Sequence, residues 1–148
     1  MFMNYIKLLF MLFLSFVSMF ILMYMMVDNY SNIFLNLNQY YMAGIMSIPM
    51  LLIELFLMKS MYQNKKLNTL LIASSTIVFI TLIIMVRKQI AIDDKEFLKS
   101  MIPHHAAALL MCKNAYLKDP EIQELCKKIR VTQQAEINFM RAKLEFMK

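Results

Sequence analysis

The chain has 148 residues, a hydrophobic share of 60%, a charged share of 18% and a formal net charge of +6. A soluble domain holds about 45–50% apolar and about 25% charged residues, so the composition excludes an ordinary water-soluble domain. One Gly and three Pro are too few for the tight turns of a β-barrel, and no basic surface interleaved with aromatic residues is present, so no nucleic-acid partner is expected and the positive charge reads as a membrane-topology signal.

The apolar excess sits in three blocks, which makes the lipid bilayer the first expected partner. Residues 5–27 carry one charge, Lys7, and supply the run of about 20 apolar residues that a helix needs to cross a hydrocarbon core. The run ends MYMMVDNY without a small-residue cleavage site, so it reads as a retained anchor rather than a cleaved leader. Residues 28–39 form a polar link with no Lys or Arg. Residues 40–62 form a second span containing Pro49 and Glu54, residues 63–66 (QNKK) a basic connection, and residues 67–86 a third span free of charge. Lys59, Lys65 and Lys66 cluster between spans two and three, whereas the first link offers Asp28 and no cation. The positive-inside rule then places the N-terminus and the second link in the cytoplasm and the segment after span three outside, with Arg87 and Lys88 counting against it.

From residue 93 the pattern changes. Asp93 followed by Glu96 fits a capping box that opens a helix over about 94–117. Helical spacing puts Phe97, Met101, His104, Ala108, Met111 and Ala115 on one face, and Pro103 is expected to kink this helix or start a new one. Asp119-Pro120-Glu121 reads as N-cap, first helical residue and first-turn acid of a second helix running to about 146. Its apolar stripe is Ile122, Leu125, Ile129, Ile137, Met140 and Leu144. Helices joined by so short a turn pack antiparallel. The expected fold class is therefore all-α, with a membrane domain over 1–88 and an extracytoplasmic helical hairpin over 89–148.

The sharpest local motif is MIPHHAAALLMC, residues 101–112, which sets thioether, imidazole and thiol donors on one helix. The hairpin register brings Cys112 near Cys126, puts His104 and His105 opposite Gln133, and sets Met101 opposite Glu136 with Met140 beyond it. Such soft donors favour Cu(I), with Zn(II) behind, whereas hard-oxygen metals would want carboxylates. The candidate ligands are Met101, His104, His105, Met111, Cys112, Cys126 and Met140. Met at helical spacing also fills cores, and the cysteine pair also fits a structural disulfide in an oxidising compartment. A second stripe in span two, Met42, Met46, Met50, Glu54 and Met58, repeats every four residues. An intramembrane carboxylate is costly enough to raise a transport reading, although Glu54 is also placed to snorkel towards Lys59.

The stretches FLKSMIPHHAAALLMC, DPEIQELCKKI and QQAEINFM resemble the bacterial family catalogued as domain of unknown function 305, and YMAGIMSIPMLLIELFLMKSMYQNKKLN is similar to what precedes the domain in membrane-anchored members. The resemblance implies a ferritin-like helical fold, here a half-bundle. It also implies copper binding, as in some periplasmic relatives associated with copper tolerance. It points to Met101, His104, His105, Met111 and Met140.

These readings converge on a multi-pass protein of a bacterial inner membrane that sequesters or hands over copper at the outer face. No nucleophile–base–oxyanion set is present, so no enzyme is expected. The alternatives are a structural or interaction protein, docking a partner or a second copy of itself, and a metal transporter built on the Met42–Met58 face.

Overall fold

Few Gly and Pro breakers leave long stretches free to satisfy their backbone groups internally, and five α-helices form. The computed structural model describes residues 2–147 and shows α1 Phe2–Leu22, α2 Leu37–Leu57, α3 Lys65–Lys88, α4 Asp94–Asn114 and α5 Pro120–Phe146, with no strand among the described residues. The outermost positions of the expected domain division, Met1 and Lys148, lie outside them. Short 3-10 turns at Met23–Met26 and Tyr30–Asn32 lie between α1 and α2. Three segments, Met3–Met26, Leu37–Leu57 and Lys65–Lys88, are long and apolar enough to cross a membrane. At about 1.5 Å per residue, 21 helical residues reach about 30 Å, the thickness of a hydrocarbon core. The second span differs from the sequence reading: α2 starts at Leu37 and stops at Leu57, because residues 58–62 turn back on themselves.

The chain divides into two units: α1 with Asn38–Ala91, and Tyr24–Leu37 with the chain from Ile92 onward. In the first unit Tyr5 and Leu8 of α1, Leu51 and Leu55 of α2, and Tyr62 form one buried cluster, with Leu67 and Leu71 of α3 packed against it. A polar clasp ties the same end together. Tyr5 Oη donates to Asn68 Oδ1 at 2.7 Å and accepts from the Asn64 N–H at 3.2 Å, while Asn68 Nδ2 donates to the Tyr62 carbonyl at 2.7 Å. Glu54 is held here too: Tyr62 Oη donates to its Oε1 at 3.3 Å. Lys59, the expected partner of Glu54, instead places Nζ 4.4 Å over the Phe56 ring. Farther along α2, a Cβ on Gly44 would meet Leu82 Cδ1, the tip of a flexible side chain of α3, at 2.7 Å. Elsewhere the spans turn apolar side chains outward, with Phe13 61% and Ile77 65% exposed. A surface of that kind is suited to lipid.

The second unit is built on α4 and α5. Ile102, Ala106 and Leu109 of α4 pack on Ile137, Met140 and Leu144 of α5, with Leu98, Met101, Val27 and Phe34 against the cluster. The rising numbers on one helix meet falling numbers on the other, so the pair is antiparallel. Residues 24–37, read from sequence as a plain polar link, form a strap on this hairpin. Asn32 and Asn36 are buried. Arg141 Nη1 donates to Ser31 Oγ at 3.3 Å and to Asn32 Oδ1 at 3.4 Å. Asn36 Nδ2 donates to the Phe34 carbonyl at 2.9 Å and to the Lys99 carbonyl at 3.5 Å.

Candidate metal site

The site residues stand on α4 and α5, and the start of α4 is set by Asp93: its side chain accepts from the Glu96 N–H at 2.8 Å. The reciprocal half of the expected capping box is not made. Glu96 Oε2 accepts the Leu37 N–H at 2.9 Å, and Oε1 accepts from Lys99 Nζ at 2.6 Å. Burial works to raise the Glu96 carboxyl, but the hydrogen bonds from Lys99 and Leu37 outweigh it and hold it below its ordinary value. Pro103 lies inside α4, which runs on as one helix through it. The first turn of α5 is capped as expected, with Asp119 Oδ1 accepting from the N–H groups of Glu121 and Ile122.

The buried face of α4 is rotated from the one read off the spacing. Ile102, Ala106 and Leu109 are buried, whereas Phe97 and Met111 are about half exposed. Two neighbouring positions on a helix differ by about 100°, so this rotation exchanges the histidines: His105 turns to α5 and His104 stands exposed. Their ring centroids lie 6.1 Å apart.

His105 is the side chain with unfinished chemistry. Its Nε2 lies 3.6 Å from Glu136 Oε2, an ion-pair distance too long for a hydrogen bond, and its side chain is 14% exposed. Its Nδ1 is buried without a partner, as is Oε1 of Gln133. Burial keeps the imidazole below its ordinary pKa and His104 pushes the same way; Glu136 pulls upward but does not prevail. A neutral imidazole with a bare nitrogen is the form that binds a metal. His105 meets Glu136 rather than Gln133, three positions beyond the register expected for it.

The other candidates divide. Met101 is half-buried against the hairpin core and Met140 is buried in it. Met101 and His105 are i, i+4 on α4, as Glu136 and Met140 are on α5, so each pair shares a helix face. Met111 and His104 are exposed, away from that layer. Cys112 and Cys126 are joined in a disulfide, with Cα atoms 5.3 Å apart. Of the two roles open to them, this structure has the staple, and both sulfurs leave the ligand set while the bond stands. Among the described residues no three His, Cys, Asp or Glu side chains group as a metal site. The further sulfur donors on the hairpin faces are the thioethers of Met101 and Met140, a donor type that suits a soft cation better than a hard one. Met46 and Met50 of α2, and Met58 in the turn after it, are exposed, away from the buried stripe of Gly44, Ser47, Ile48, Leu51 and Leu55.

Sequence reasoning missed Tyr5, Tyr62 and Asn68 as the groups that satisfy the Glu54 end of the first unit. Their signal was polar Tyr and Asn residues at the ends of the apolar runs.

The architecture is that of a small all-helical protein with three membrane-length helices and a stapled hairpin. The chain belongs to the family described as Domain of unknown function (DUF305), whose profile matches residues 56–144, from the last turn of α2 into α5. It is 38% identical over 146 residues to an uncharacterized protein of Acanthamoeba polyphaga mimivirus, an alignment covering 97% of this chain and 94% of that protein. No solved structure matches the chain significantly.

Proposed function

We propose that this protein is a membrane-anchored binder of Cu(I) that sequesters or passes on the metal at the non-cytoplasmic face and catalyses no reaction. The supporting observation is the buried, partnerless Nδ1 of His105. Burial lowers the pKa of its imidazole, and it sits on the same face of α4 as Met101, across from the α5 face that carries Met140. One imidazole and two thioethers are the donors a soft monovalent ion prefers. Buried polar groups without partners are uncommon in folded proteins and invite an occupant. The residues that fit are His105, Met101 and Met140; His104, Met111 and the bonded cysteines fit less well than the sequence implied. Zn(II) is the poorer match, since its usual sites use Cys, His and carboxylates that do not gather here.

The non-cytoplasmic placement of the hairpin rests on the lysines of the second link and on the disulfide, which persists in oxidising compartments. The bacterial inner membrane is one such setting; a viral or host membrane is another, given the mimivirus relative.

The test is a Cu(I) titration of the full chain in detergent micelles against a chromophoric chelator, with ascorbate to hold the metal reduced and leave the disulfide closed. His105→Ala is expected to weaken binding at least tenfold, and His104→Ala to leave it within about twofold. Equal binding by wild type and His105→Ala overturns the reading. A structural or interaction role then becomes the better one, favoured by the exposed Leu125, Val131 and Phe139 of α5.

A further inference from the structure

The first unit carries a second feature that the metal reading does not use. A cavity of about 780 Å3 opens where the end of α2, the turn after it and the start of α3 meet. Its lining combines two cations, Lys59 and Lys65, with apolar Leu52, Leu55 and Ile72, and includes the polar Gln63, Asn68 and Thr69. No acidic side chain lines it. The one carboxylate nearby in sequence, Glu54, accepts from the Tyr62 hydroxyl. Lys59 Nζ is steadied 4.4 Å over the Phe56 ring. Lys65 is the first residue of α3.

We propose that this cavity binds one anionic phospholipid, its phosphate between Lys59 and Lys65 and its upper acyl chain along Leu52, Leu55 and Ile72. Three observations carry the assignment. The volume lies within the range of about 300–1,000 Å3 found for small-molecule sites. Along the chain Lys59 and Lys65 stand nearer the connection between α2 and α3 than Leu52, Leu55 and Ile72 do, an order that matches a lipid with its charged headgroup outermost. The lysines belong to the link that the positive-inside rule assigns to the cytoplasmic leaflet, where anionic lipids concentrate and where basic pockets between membrane helices hold their headgroups. A free phosphate would use the lysines and leave the apolar wall wet. This inference stands apart from the metal site, which lies in the other unit.

The experiment is native mass spectrometry of the full chain released from nanodiscs holding equal phosphatidylglycerol and phosphatidylcholine with matched acyl chains. Retained phosphatidylglycerol is expected to exceed phosphatidylcholine about tenfold, as two lysines at a membrane surface allow. Lys59→Gln/Lys65→Gln is expected to abolish the preference. Lys118→Gln/Lys128→Gln, which removes the same charge from the hairpin, is expected to keep it. Ile72→Trp, which narrows the apolar wall and spares both lysines, is expected to lower total retention. No preference in wild type, an unchanged preference in Lys59→Gln/Lys65→Gln, or displacement of the lipid by millimolar glycerol phosphate would overturn the proposal, the last by showing that the headgroup alone is recognised.

Discussion

Replacing Cys112 and Cys126 with Ser should loosen one end of the hairpin and spare the other. The bond closes a loop with a sequence separation of 14. Loop-closure entropy for about 15 residues corresponds to about 3 kcal/mol. Little else holds this end. The buried cluster runs from Leu109 back to Ile102 and from Ile137 on to Leu144, and beyond it Ile122 and Leu125 are about half exposed. The turn itself is fixed by the Asp119 cap and by Gln123 Nε2 donating to the Leu117 carbonyl at 2.9 Å. At about 1.4 kcal/mol per tenfold, removing the bond should raise the open population of the tip by about 10²-fold. Amide hydrogen exchange read by mass spectrometry on the full chain in micelles measures this directly. Peptides from residues 110–130 should exchange about 10²-fold faster in the double variant, and peptides from residues 136–146 should change far less. Unchanged exchange at the tip would refute the reasoning, because it would mean that side-chain packing and the caps hold the turn unaided.

Other outcomes follow from the same contacts. Ile137→Ala removes a side chain that is 1% exposed, and large-to-small changes at such sites cost about 2–5 kcal/mol; thermal melts followed by circular dichroism should show the hairpin melting earlier. The folded pKa of His105 lies below its ordinary 6.5, so the unfolded chain binds more protons, and stability should fall as pH drops below about 6.5 and stay flat above it. His105→Gln should remove that slope in melts run from pH 7.5 to 5. Glu96, lowered from 4.5, adds stability that is present above that value and lost as pH falls below it, so Glu96→Gln should flatten the more acidic limb. Gly44→Ala should be tolerated, because the atom in its way is the mobile tip of Leu82, whereas Gly44→Ile should separate α2 from α3 and lower the yield of folded protein in micelles.

Much of the architecture could be read from the chain because the apolar runs are long and the cap residues sit at the right offsets. Asp93, Asp119 and Pro120 placed the starts of α4 and α5 correctly. The disulfide was one of two roles the spacing left open to the cysteines. The candidate site was less legible. Periodicity on α4 admits two stripes one residue apart, one through Met101, His104 and Met111 and the other through Leu98, Ile102 and Leu109. The second stripe buries branched aliphatic side chains, so it wins the interface and carries His105 inward. The strap at residues 24–37 was hidden because its contacts are hydrogen bonds from Asn and Arg side chains to partners up to 110 residues away, which no local pattern encodes.

The strap and the hairpin are separated along the chain by α2 and α3, two membrane-length segments. An even number of crossings delivers both pieces to the same compartment; an odd number leaves them on opposite sides of the lipid. In a bilayer the grip of Arg141 on Ser31 and Asn32, and of Glu96 on Leu37, can therefore close only where α2 and α3 make an even number of crossings between them. A molecule in which one of the two segments failed to cross would hold strap and hairpin on opposite sides, and Asn32 and Asn36 could not take up their buried places on α4 and α5.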